Sequence, residues 1–161
     1  MVKSLHDGAA YYRVIDANLN RCREGLRVIE DTARFVLDLG AVYKKVRTLR
    51  HAVERLTRRM YPELLARRDA VADEGRTIPE GKREDLDAVL AANFRRAEES
   101  LRVLEEYSRL VQPELGCEFK SIRYAVYSLE KKLLAKQRPW PSGRVKTPGK
   151  RSRRRGKSEQ S

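Results

Sequence analysis

The sequence predicts an all-α protein, a four-helix bundle built from two duplicated helical hairpins and followed by a disordered basic C-terminal tail. Three observations predict it. Residues 17–36, ANLNRCREGLRVIEDTARFV, align without gaps on residues 92–111, ANFRRAEESLRVLEEYSRLV, and ten of the twenty positions are identical. A second apolar stripe is duplicated downstream of each copy, where LRHAV at 49–53 matches IRYAV at 122–126. Residues 138–161 combine Pro, Gly, Ser and like charges with almost nothing apolar beyond Trp140 and Val145.

The first helix, expected over 9–39, carries Leu19, Cys22, Leu26, Ile29, Ala33 and Val36 at steps of three and four, which places them on one face. Gly40 suits the residue just past its C-terminus. The second helix, 41–60, sets Val46, Leu49, Val53, Leu56 and Met60 on one face, and Pro62 opens a short extra turn after it. Residues 67–83, RRDAVADEGRTIPEGKR, have no helical stripe and form the one long loop, of the kind that often carries function in compact domains. The third helix, 84–112, repeats the first stripe as Phe94, Ala97, Leu101, Leu104, Ser108 and Val111, and Pro113 and Gly116 mark the next turn. The fourth, 115–137, repeats the second stripe as Phe119, Ile122, Val126, Leu129 and Leu133. Short turns make the paired helices antiparallel, and two hairpins with matching stripes form a bundle with pseudo-two-fold symmetry.

A chain of 161 residues with 40% hydrophobic content fits one domain with its own core, here residues 1–137, with the tail at 138–161. Cys22 and Cys117 lie far apart without CxxC spacing, so both read as small core residues, and neither a disulfide framework nor a zinc site is indicated. No apolar run reaches signal-peptide or membrane-spanning length, and the expected location is the cytoplasm. The net charge of +13 is uneven: six Arg and three Lys against Glu159 give the tail +8, and residues 1–137 carry only +5. A segment so charged and so poor in apolar groups cannot offset its ordering entropy.

Within the bundle, Asn18 and Arg21, and their repeats Asn93 and Arg96, fall near the border of the apolar stripe. A border Asn either fixes helix register and bonds nearby backbone or faces a ligand; the Arg either snorkels toward Glu24 or Glu99 or binds an anion. Arg50 and Arg123 match one another in the partner helices, with Lys45, Arg47 and Lys120 nearby. Cations massed around a pseudo-axis favour an anionic ligand, and the planar guanidinium fork suits phosphate. Arg27, Glu30, Asp31 and Arg34 lie opposite the stripe and read as a solvent-face lattice. His51 aligns with Tyr124, which favours aromatic packing over a role as a base. Asp69 and Asp73 in the long loop either hold Mg²⁺ beside a phosphate or serve as turn and cap residues. The phosphate-cradling patterns GxxxxGK[ST] and GxGxxG are both absent.

At RVIDANLNRCREGLRVIEDTARFVLD, LRHAV, RRDAVADEG, NFRRAEESLRVLEEYSRL and KSIRYAVYSLEKKL, in that order, the chain resembles the small all-helical hydroxymethylpyrimidine-phosphate kinases, which are often fused to the N-terminus of thiamine-phosphate synthase. The likeness covers residues 11–134. It implies transfer of the ATP γ-phosphoryl group, with Mg²⁺, to 4-amino-5-hydroxymethyl-2-methylpyrimidine phosphate. From charge and symmetry at the positions within these motifs, Arg21, Arg96, Arg50 and Arg123 are expected to be catalytic, Asn18, Asn93, His51 and Arg68 to bind substrate, and Asp69 and Asp73 to hold the metal. Two departures stand out. A basic tail takes the place where many relatives continue into the synthase barrel, so only the kinase step is implied; and residues 72–75 read ADEG where relatives are expected to have DVG.

The partners expected are the pyrimidine phosphate, thiamine-phosphate synthase and, through the tail, a weak nucleic-acid contact; a membrane is not among them, and a homodimer is left open. Two other readings compete: a non-catalytic partner domain of the synthase, and a nucleic-acid-binding helical protein acting through its tail. The duplicated Asn/Arg pairs favour the enzyme, because a tail-driven binder has no need of them.

Overall fold

A computed structural model describes residues 8–68 and 81–135 of the chain. The expected tail, and most of the long loop with Asp69 and Asp73, lie outside the described residues. Within them the helices are α1 (Gly8–Phe35), α2 (Gly40–Thr57), a 3₁₀ turn (Arg58–Met60), α3 (Tyr61–Ala66), α4 (Leu86–Val111) and α5 (Pro113–Leu134). No strand occurs among the described residues. The four long helices are the two expected hairpins, and Pro62 stands in the first turn of α3 as the sequence indicates.

The apolar stripes become the core. Ile15, Leu19, Cys22, Leu26, Ile29 and Ala33 of α1 face Leu90, Phe94, Ala97, Leu101 and Leu104 of α4, all buried. Val46, Leu49 and Val53 of α2 and Phe119, Ile122, Val126 and Leu129 of α5 complete it. Burying Phe94 or Phe119 entirely contributes about 1.5–3 kcal/mol each. The α1/α4 contact is the most extensive in the molecule, each hairpin packs internally, and α2 meets α5 only lightly. The edge-on rings of Tyr11 and Tyr107, 6.1 Å apart, and the contact of Gly25 with Asn93 show that α1 and α4 run antiparallel. At Gly25 a Cβ would lie 2.8 Å from the Asn93 carbonyl oxygen, so the missing side chain is what lets the helices approach this closely.

Four local expectations are corrected. First, α1 stops at Phe35, not at 39: Thr32 O accepts from both Val36 N and Leu37 N at 3.1 Å, Leu39 N reaches Ala33 O at 2.8 Å, and Val36 is left 60% exposed. Second, the left-handed residue of that turn is Asp38, φ 51°, and Gly40 begins α2 instead; the short Asp side chain tolerates that conformation. Third, Gly116 sits inside the first turn of α5 and not in the turn before it; a Cβ there would come within 2.9 Å of Arg109 Cγ and 3.3 Å of Glu105 O, so the position suits glycine for close packing. The turn itself is the single residue Gln112, with Pro113 opening α5. Fourth, Cys117 is exposed, while Cys22 is core and its thiol is pushed up to about 12 by burial.

The break between α2 and α3 has a local cause. Thr57 Oγ1 donates back to Val53 O at 3.0 Å, a bond that bends helices, and a 3₁₀ turn follows. At the far side of the long loop, Asp85 caps α4 by accepting from Ala88 N at 2.8 Å. No helix among the described residues is long and apolar enough to cross a membrane.

Candidate functional site

The repeat carries a buried ion pair as well as a core. Arg50 Nε donates to Glu30 Oε2 at 2.6 Å in the first hairpin. Arg123 donates from Nε and Nη2 to Glu105 Oε2 at 3.2 and 2.7 Å in the second, and from Nη1 to Tyr127 OH at 3.0 Å. Both glutamates are 1% exposed. Each sits among three arginines: Arg27, Arg47 and Arg50 around Glu30, and Arg102, Arg109 and Arg123 around Glu105. Burial alone raises the Glu105 carboxyl, but the Arg123 hydrogen bonds and the charges of Arg102 and Arg109 hold it below the ordinary value, and the same bond raises Arg123.

Arg50 and Arg123 are each ion-paired within their own hairpin; Arg123 is only 8% exposed and offers little surface to a substrate, whereas Arg50 also borders a cleft. One expectation is corrected. Glu30 is no part of a solvent lattice. Of that set only Arg27 and Asp31 pair at the surface, at 3.0 Å, while Arg34 lies over the rings of Phe35 and Tyr43.

The remaining expected residues separate. Asn18 and Asn93 make the same bond, Nδ2 to the carbonyl four residues back, at 2.9 Å to Val14 and 2.8 Å to Val89. Arg21 is exposed and Arg96 half-buried. His51 Nδ1 lies 3.4 Å from Glu54 Oε2, not in an aromatic stack; the ring pairing on the matching face is Tyr124 with Tyr127. Arg68 makes a two-pronged bond to Asp16, at 2.8 and 2.7 Å, which fastens the entry to the long loop onto α1 and raises Arg68.

Two features were not found by sequence reasoning. One is a shallow cleft of about 480 Å³ between α1 and α2, bordered by Asn20, Arg23, Glu24, Arg27, Val28 and Arg50. Three arginines line it beside Glu24; Arg27 and Arg50 are already paired, to Asp31 and Glu30, and Arg23 has no carboxylate partner among the described residues. The other is a carboxyl pair on the opposite hairpin, Glu98 and Glu130. Burial, then the charge of Glu130 and the hydrogen bond to it, push Glu98 up to about 7, against the pull of Arg95. One oxygen of Glu98 is buried without a partner.

The repeat relates the two features. Glu98 aligns with Arg23, and Arg95 with Asn20, so one scaffold presents a cationic flank on the first hairpin and a protonatable acid on the second. That inversion at matched positions was the available signal. Among the described residues no group of three or more His, Cys, Asp or Glu side chains is placed to hold a metal ion.

The ThiD2 family model matches residues 13–132. A thiamine-phosphate synthase of Nostoc punctiforme is 45% identical over 130 residues, which are 79% of this chain and 36% of the relative. That of Synechocystis sp. is 44% identical over 128 residues, 78% and 36% of the two chains, and that of Rhodopirellula baltica 38% over 125 residues, 75% and 33%. The chain thus spans about a third of the length of the curated relatives it matches. No solved structure matches it significantly.

Proposed function

The chain belongs to the ThiD2 family, and on that premise we propose that it acts in thiamine biosynthesis as the kinase converting 4-amino-5-hydroxymethyl-2-methylpyrimidine phosphate to its diphosphate. An oxygen of the substrate's phosphate attacks the γ-phosphorus of ATP, the bond to the β-phosphate oxygen breaks, and ADP leaves. At neutral pH a phosphate monoester already carries an anionic oxygen, so no proton need be removed. The protein's task is to bring two polyanions together and screen them, by positioning and charge.

The observation that carries this reading is the cationic cleft on α1. Arg23 and Arg27 border it, with Arg50 held in place by Glu30. A guanidinium fixed by a carboxylate keeps its planar fork in one orientation, which favours phosphate recognition over a mobile cation. Arg21 and Arg96 are proposed to assist from positions bordering the α1/α4 packing, with Asn18, Asn93 and His51 near the bound substrate. Mg²⁺ enters with ATP as part of the substrate. Among the described residues no group of three or more His, Cys, Asp or Glu side chains is placed to hold it, and Asp69 and Asp73 lie outside them. A thiamine-phosphate synthase is the proposed consumer of the product.

The test is ADP release by the purified chain. ADP should form with the pyrimidine phosphate present and not without it, and the unphosphorylated alcohol at equal concentration should be turned over far more slowly. No ADP with either acceptor removes the kinase reading. Comparable turnover of the alcohol would require a base to take the hydroxyl proton.

A further inference from the structure

The light contact between α2 and α5 leaves a groove at one end of their seam, of about 1020 Å³. Its walls are aliphatic, Leu39 and Val42 from the start of α2 and Leu129 and Leu133 from the end of α5, with Ala41 and Ala125 giving it width. Lys45 enters from α2 and Lys132 from α5. Neither pairs with a carboxylate among the described residues, whereas Arg27, Arg50, Arg68, Arg109 and Arg123 all do.

The duplication supplies an internal control. Pseudo-symmetry produces a second end of the same seam, where Lys45 is matched by Glu118, Ala41 by Glu114, Ser128 by Arg55 and Lys132 by Arg59. That end carries both signs of charge and balances itself. The groove end carries two cations and no acid. Two exposed lysines on an apolar slot with no acid beside them favour an anion there.

We propose that the α2/α5 groove binds a phosphorylated heterocycle, with the phosphate between Lys45 and Lys132 and the flat ring against Leu39, Val42, Leu129 and Leu133. A phosphate monoester, at about −1.5 to −2 near pH 7, matches two lysines better than a carboxylate does. Lysine serves as a point-charge phosphate binder that needs no fixed fork. Ser128 donates its hydroxyl proton to Tyr124 O at 3.0 Å, so its oxygen remains free to accept from a ring amino group. The choice of ligand rests on the kinase reading; the location does not. A nucleotide and the pyrimidine phosphate share this chemistry, and the test separates them.

The experiment is amine labelling of the full-length protein read by mass spectrometry, with ATP, the pyrimidine phosphate, the unphosphorylated pyrimidine or inorganic phosphate as the probe. One of the two phosphorylated heterocycles should slow labelling of Lys45 and Lys132 at least about five-fold, with Lys44 and Lys131 as neighbouring references. The bare pyrimidine and phosphate alone should protect weakly. Lys45→Glu, which copies the matched Glu118, should weaken binding of the protecting probe about ten-fold or more, the loss expected for a charged hydrogen bond. Val42→Trp should do the same by filling the groove. Equal labelling with and without both heterocycles overturns the proposal, as does unchanged affinity in folded Lys45→Glu. Protection without ADP formation keeps the groove and removes the kinase; ADP formation at full rate in Lys45→Glu does the reverse.

Discussion

Arg123 aims two donors at one oxygen of Glu105, Nε at 3.2 Å and Nη2 at 2.7 Å, across the second hairpin, and the first hairpin repeats the pair as Arg50 and Glu30. A buried pair of this kind contributes little net stability, but breaking it leaves a charge stranded. Glu105→Ala should therefore destabilise the protein by about 3 kcal/mol or more in urea unfolding. The double variant Glu105→Leu, Arg123→Met should recover most of that loss. Equal losses in the single and double variants would mean that shape, not charge, holds this position.

Glu98 titrates in the opposite sense from Glu105. Its folded-state value is raised from 4.5 to about 7, so between those values the folded protein keeps a proton that the unfolded chain has released. The stability it adds is full below pH 4.5 and lost as pH rises through about 7. Glu105, held below its ordinary value, adds stability that is lost only on acidification. Glu98→Gln should flatten the pH dependence of the urea midpoint between pH 5 and 7, while leaving the acid limb in place. A wild-type midpoint that rises across that interval contradicts the raised Glu98 value.

Gly25 and Gly40 should respond oppositely to alanine. A Cβ at Gly25 meets the Asn93 carbonyl at 2.8 Å, and backbone cannot swing aside as a side chain can. Gly25→Ala should cost about 1–3 kcal/mol by forcing α1 and α4 apart, despite the better helix propensity of alanine. Gly40 has nothing within 4 Å of its absent Cβ, and Gly40→Ala should be neutral or slightly stabilising. Melting temperatures of the two variants decide it.

Under the proposed chemistry, Arg21→Gln, Arg96→Gln and Arg23→Gln should each lower the rate of ADP formation by roughly ten- to a thousand-fold, the range for removing one electrostatic stabiliser. Melting temperature should move little for exposed Arg21 and half-buried Arg23. A variant that melts early yet turns over normally when folded would return its arginine to the scaffold.

The helices and their buried faces were legible because a 3.6-residue period writes burial directly into the order of residues, as at Leu19, Cys22, Leu26 and Ile29. The charged residues were misread for the same reason. Glu30 lies one step around the helix from Ile29, where the pattern alone says solvent; it is buried because α2 covers that flank with Arg47 and Arg50. The turns were misread because Asp38 took the left-handed position that Gly40 was expected to fill. Of the site, the arginines were visible as types but not as partners, because a carboxylate twenty or more residues distant decides whether a guanidinium is open to a ligand.

The antiparallel contact of α1 with α4 also has the form of an isologous interface, in which each hairpin offers the other the same patch. A single hairpin of this kind, expressed alone, would find its mate in a second copy of itself. Joining the two in one chain converts that encounter into an intramolecular one, at an effective concentration on the order of millimolar. It also frees the halves to diverge: in a symmetric dimer Arg23 would face its environment twice, and no Glu98 could arise on one side only. The two halves, residues 1–68 and 81–161 as separate polypeptides, should accordingly find each other when mixed, and the mixed pair should outcompete either half bound to itself.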